Sequence, residues 1–230
     1  MKKIVYSILS LLVVFSFISP AFANEDNLNE DLMYDNPENV VFIDDSMDID
    51  EQKKLINRYL EDPELESLIV LDESILLENN VISEALTPQS RLGLTSYKVN
   101  NIRNGSDVTA SSAIASTTGE PGVKIGINQT KGVATTISSS YGASSKLLTA
   151  SIGWDVTKKT NISISSSVTV PSKVNGKNVK KLTLEAYPVY KTKKYDVHKM
   201  PWYSIYWTKE GTGTVKKAYG LEFKKSYTYK

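Results

Sequence analysis

The sequence predicts a mainly β protein: an antiparallel β-sandwich or elongated β-sheet domain, preceded by a short acidic, partly helical N-terminal region. Three observations carry this. Between residues 124 and 171 apolar side chains alternate with Ser, Thr and Gly, the period of a half-buried strand. Turn-forming residues interrupt the extended runs at short intervals. The charge also reverses along the chain. From residue 24 to 90 there are 19 acidic residues against three basic ones, a balance of −16, whereas from 91 to 230 there are 22 basic against seven acidic, a balance of +15. Such asymmetry points to a segment with its own task beside a basic domain.

The first 23 residues fit a secretory signal peptide. Lys2 and Lys3 form its basic start, residues 4–18 are apolar or serine, and Ala21 and Ala23 complete a cleavage pattern, so the expectation is export with cleavage after Ala23. The chain has no cysteine, so an exported domain must rely on its core rather than on disulfides.

Residues 24–90 read as a pro-region-like segment, an intramolecular acidic partner for the basic part. Its first portion, to about residue 45, is acidic, rich in Asn and poor in apolar residues, and reads as disordered. Asp48 and Glu51 form a capping box, and Leu55, Ile56, Tyr59 and Leu60 share one helical face before Pro63. The apolar residues between Leu65 and Leu86 suggest one or two further short helices.

Residues 91–230 form the basic β domain, with the boundary placed where the composition changes near Pro88. Strands are predicted over 92–99, 108–115, 123–128, 133–141, 148–157, 162–170, 179–190, 194–199, 203–207 and 215–223. Asn175-Gly176 supplies a hairpin turn tolerant of positive φ, and Gly211-Thr212-Gly213 a second turn.

Catalytic chemistry finds little to use. His198 is the only histidine, no serine lies in a nucleophile elbow, and no spacing marks a carboxylate pair, a metal site or a phosphate loop. The expectation is a non-enzymatic protein without metal or cofactor; a secreted hydrolase with an unmarked active site is the distant alternative. The aromatic and basic C-terminal third is more informative. Trp202, Tyr203, Tyr206 and Trp207, with Lys191, Lys193, Lys194 and Lys199, are candidates for binding an anionic surface, either a cell-wall polymer or a membrane. Nucleic acid fits poorly with an exported chain so short of arginine.

The Ser/Thr-rich runs around 123–190, with Ser167-Val168-Thr169-Val170-Pro171 and the run from Lys181 to Tyr190, resemble the pore-forming module of the aerolysin-like β-toxins. That resemblance implies an amphipathic segment that inserts into a membrane after homo-oligomerisation. Here it would be residues 141–160, with Leu148, Ala150, Ile152, Trp154 and Val156 facing lipid along one strand.

Overall fold

The computed structural model describes residues 39–43, 46–77 and 95–230. In chain order it contains strand β1 (Val40–Ile43), helix α1 (Ile49–Leu60), strand β2 (Ser67–Asp72), the four-residue helix α2 (Ser74–Leu77) and strand β3 (Ser96–Asn104). The short strands β4 (Val108–Thr109) and β5 (Ala115–Gly119) follow, then β6 (Lys124–Ala134) and β7 (Thr136–Ile137). Helix α3 (Ser145–Ile152) leads to β8 (Lys159–Thr169), β9 (Lys173–Val174), β10 (Lys177–Met200) and β11 (Thr208–Tyr229). The fold is mainly β, as the alternation predicts. The leader and the compositional boundary near residue 90 lie outside the described residues.

The last two strands are the axis of the molecule. They pair antiparallel from Val179 opposite Tyr229 to Lys199 opposite Thr208, with three register shifts. At about 3.4 Å per residue, 22 residues make a ribbon about 75 Å long. Shorter strands line both its edges. The short partners of β10 are β9, β5, β4 and β3 in turn, and those of β11 are β2 and β7; β1 extends the sheet beyond β2, parallel to it. The predicted strands 179–190 and 194–199 are therefore one element, and 203–207 belongs to the turn that joins β10 to β11. Bulges let a strand this long accumulate twist without breaking.

A separate two-stranded sheet, β6 with β8, packs over the half of the ribbon distant from that turn. One face carries Ile125, Ile127, Val133, Ile162, Ile164 and Val168, all buried. The other carries Gly126, Asn128, Thr130 and Gly132 opposite Ser167, Ser165, Ser163 and Asn161. The buried face meets Leu182, Leu184, Ala218 and Phe223 of the ribbon and Ile56, Leu60, Leu68 and Val70 of the N-terminal segment in one core.

That N-terminal segment differs from expectation in two places. Val40–Ile43 is a strand rather than part of a disordered stretch, and Ser67–Asp72 is a strand rather than a helix. Four consecutive apolar residues, Leu68 to Leu71, suit either form. The edge of β11 at Gly220–Lys224 offers ladder partners, which decides the matter. The α1 helix starts as predicted, with the Asp48 carboxylate accepting from Glu51 N at 2.8 Å.

The predicted strand at 148–157 is the clearest correction. Ser144 caps a helix, its Oγ accepting from Leu147 N at 3.2 Å, and Gly153 ends it in the left-handed region at φ 78°. Leu148 and Ile152 recur at four residues, so the period-two reading and the helical reading place them on one face alike. They are buried with Trp154 and Val156 against Tyr195, Val197 and Val215 of the ribbon. Among the described residues no helix is long and apolar enough to cross a membrane.

Candidate functional site: an aromatic tip

At the turn between β10 and β11 the sheet ends and the chain has no further core to cover. Pro201 removes a ladder donor and closes a turn in which Ser204 N donates to Pro201 O at 3.0 Å. Ser204 Oγ then accepts from Tyr206 N at 3.1 Å. These local bonds hold the loop and turn four large side chains outward. Trp202, Tyr203, Ile205 and Tyr206 are 69%, 75%, 81% and 76% exposed. Single exposed apolar residues are ordinary on a soluble protein, but four within five positions at the end of a ribbon are not. Trp202 and Tyr203 pack edge to face with ring centroids 5.6 Å apart, so the patch is partly preorganised.

Cations flank the rings. Lys98 on β3 lies over Trp207 at 4.7 Å from the ring centroid, which leaves that indole half-buried. Lys199 lies beside it in the ladder, 4.0 Å from Glu210, and Lys209 reaches back to Asp196 at 3.0 Å. Asp196 also accepts from Asn101 and Thr212, at 2.8 and 2.7 Å. These bonds from Asn101 and Thr212, then Lys209, hold its carboxyl well below the ordinary carboxylate range. This buried carboxylate ties three strands together just behind the tip.

Of the residues the sequence singles out, Trp202, Tyr203 and Tyr206 meet at the tip with Lys199 near them. The others lie elsewhere. Lys191 pairs with Asp107 at 3.1 Å and covers the Tyr219 ring, about 30 Å along the ribbon from the turn. Lys193 donates to Ile152 O at 3.1 Å and stacks on Trp154 at 4.1 Å, and its burial pushes its pKa down. Lys194 is exposed on the shaft. Leu148, Ile152, Trp154 and Val156 are core, and Ala150 is half-buried in α3. Ile205 and Lys98 are tip residues that sequence reasoning missed. The signal for Ile205 was present in Pro201-Trp-Tyr-Ser-Ile-Tyr-Trp, whose period reads equally as a strand.

The acidic residues of the basic part are mostly committed. Asp107, Asp155, Glu185, Asp196, Glu210 and Glu222 each face a cation or a hydroxyl donor. Among the described residues no three His, Cys, Asp or Glu side chains gather to hold a metal. No family model matches the chain, no curated protein matches it, and no solved structure matches it.

Proposed function

We propose that the protein is an exported, non-enzymatic β protein that attaches to an anionic lipid surface through the aromatic tip of its long hairpin. The supporting observation is the cluster of Trp202, Tyr203, Ile205 and Tyr206 at the end of a stiff ribbon, flanked by Lys98, Lys199 and Lys209. Ile205 favours lipid over polysaccharide, because a branched aliphatic side chain has no stacking surface for a sugar. Magnitudes divide the labour. Removing a large apolar side chain from water is worth about 1.5–3 kcal/mol. A lysine near an anionic bilayer adds about 1 kcal/mol. The rings and Ile205 thus supply most of the affinity, and the lysines set the preference for negative headgroups.

The test is co-sedimentation with phosphatidylglycerol-containing and phosphatidylcholine-only vesicles, and with purified cell walls. Wild type is expected to prefer the anionic vesicles, and to bind less in 0.5 M salt as the charges are screened. A triple variant, Trp202→Ser with Ile205→Ser and Tyr206→Ser, is expected to lose at least tenfold in affinity while keeping its circular dichroism. Unchanged vesicle binding by that variant, or binding to cell walls alone, would remove the proposal.

One observation favours a second reading, insertion after oligomerisation as in the aerolysin-like β-toxins. The β6–β8 sheet has 11 residues in each strand, one face mainly apolar but interrupted by Gln129 and Lys131, and an opposite face of hydroxyl, amide and glycine residues with Lys124 and Lys159 at its two ends. A membrane-crossing β-strand needs about 9–11 residues with that alternation. On this reading the inserting strands are β6 and β8, with α3 at their junction. Asn57 Oδ1 accepts from Ser167 N at 2.6 Å, so a cysteine pair at 57 and 167 would pin β8 to α1 in a chain with no native thiol. Dye release that is blocked by the oxidised pair and restored by reduction supports insertion. Release indifferent to the crosslink, or none from wild type, rejects it.

A further inference from the structure

The sheet face immediately behind the tip carries a basic row across three strands. His198, the only histidine of the chain, stands on β10 directly opposite Lys98 on β3 and Lys209 on β11. Residues directly opposite in an antiparallel ladder share a face, with Cβ atoms about 4.5–5.5 Å apart. Trp207 lies on the same side, since its ring centroid is 4.7 Å from the Lys98 ammonium. The reverse face is closed, with Val197 and Tyr195 buried against Leu148 and Ile152 of α3.

The imidazole of His198 is half-buried, and its Nδ1 is buried without a hydrogen-bond partner. The acid on its own strand, Asp196, accepts from Asn101 and Thr212 and pairs with Lys209 at 3.0 Å and Arg103 at 3.6 Å. Glu210, on β11, is 4.0 Å from Lys199. Among the described residues no carboxylate pairs with His198, so a proton on its ring adds a charge to the row without cancelling one beside it. The row stands two residues, about 7 Å, behind Met200 at the end of β10. The headgroup layer on each side of a bilayer is about 5–7 Å deep. A ribbon standing on its tip, with the rings at the boundary between headgroups and acyl chains, therefore brings the row level with the phosphates.

Given attachment through the tip, on which this rests, we infer that His198 is a proton-linked contact with the anionic headgroups, so that attachment tightens as the medium becomes more acidic. Histidine is the side chain whose charge ordinarily changes between pH 5 and pH 8. The bound protein faces phosphates and holds the His198 proton more tightly than the free protein does, so affinity rises as pH falls through this range. The gain is about fivefold, the worth of one added basic charge near an anionic bilayer.

Co-sedimentation with phosphatidylglycerol-containing vesicles at pH 8 and pH 5.5 is compared for the full mature chain and for His198→Gln and His198→Lys. Phosphatidylglycerol keeps its charge across this range, and every other titrating group is common to the three proteins, so the ratio of the two affinities isolates His198. Wild type is expected to gain about fivefold more than either variant on acidification. His198→Lys, which carries its charge throughout, is expected to bind about fivefold more tightly than His198→Gln at pH 8. A second measurement needs no variant. The Cε1–H resonance of the single imidazole is expected to shift when dihexanoyl phosphatidylglycerol is added at pH 5.5, and not with dihexanoyl phosphatidylcholine. Equal gains in wild type and His198→Gln, or an imidazole resonance indifferent to the anionic lipid, overturn the inference while attachment through the tip stands. No binding to the anionic vesicles at either pH removes both.

Discussion

Three lysines of the long hairpin, Lys193, Lys217 and Lys225, end on backbone carbonyls of the segments that lie over it. Lys193 meets Ile152 O at the end of α3, Lys217 meets Ile75 O in α2, and Lys225 meets Leu60 O and Asp62 O at the end of α1. Carbonyls at a helix C-terminus lack intrahelical donors and carry partial negative charge, so a buried ammonium is a fitting partner. Burial still has a cost, and it brings the Lys225 pKa down to about 8, partly offset by the charge of Asp62. The unfolded chain then holds this proton more tightly than the folded one, so the penalty is full below pH 8 and fades as pH rises toward the ordinary lysine value. Relative to Lys225→Met, wild type should gain stability between pH 8 and pH 10, measured by urea unfolding at several pH values. The window stops there because Tyr195 and Tyr227, both raised by burial to about 12, begin to lower stability above the ordinary tyrosine pKa. A constant difference between the two proteins across that range would refute the assignment.

At the scale of elements, α3 rests on its two caps and one buried face. Ser144→Ala should cost about 1 kcal/mol through the lost cap. Leu148→Ala should cost about 2–5 kcal/mol, because Leu148 is buried among Ile152, Trp154 and Tyr195. Ile152→Lys places a charge in the same cluster and should unfold that region rather than alter surface binding alone; near-ultraviolet circular dichroism of Trp154 reports it. Within the described residues the N-terminal segment is held through the core. Among the described residues the ion pairs all lie within 95–230, whereas Leu60, Leu68 and Val70 are core and β2 is hydrogen-bonded to β11. A chain cut between 78 and 94 should therefore keep its two pieces together through gel filtration in 1 M salt. A chain starting at residue 91 should self-associate, because Gly220–Lys224 becomes an unpaired edge and Leu221 and Phe223 lose their cover. Separation of the pieces by salt alone would show that charge, not the core, holds them.

For the whole molecule the ribbon sets the shape. Small-angle scattering should give a maximum dimension of at least about 75 Å, set by 22 paired residues at strand spacing. A compact particle would contradict the continuous hairpin. The tip occupies one extreme of this length.

The sequence by itself determined the β class, because alternation of apolar and hydroxyl residues is a local property that follows from the side-chain geometry of a strand. It also determined the start of α1, since Asp48 and Glu51 act within one turn, and the aromatic composition of the tip. Tertiary structure decided the rest wherever one pattern serves two conformations. Leu148 and Ile152 satisfy both periods, and only the surface offered by Tyr195, Val197 and Val215 selects the helix. Leu68 to Leu71 became a strand because β11 supplied unpaired ladder groups. Which lysines remain available to a partner could not be read from their spacing, because Lys191, Lys193, Lys217 and Lys225 are committed by contacts 28 to 165 positions away, and such contacts exist only once the chain has closed on itself.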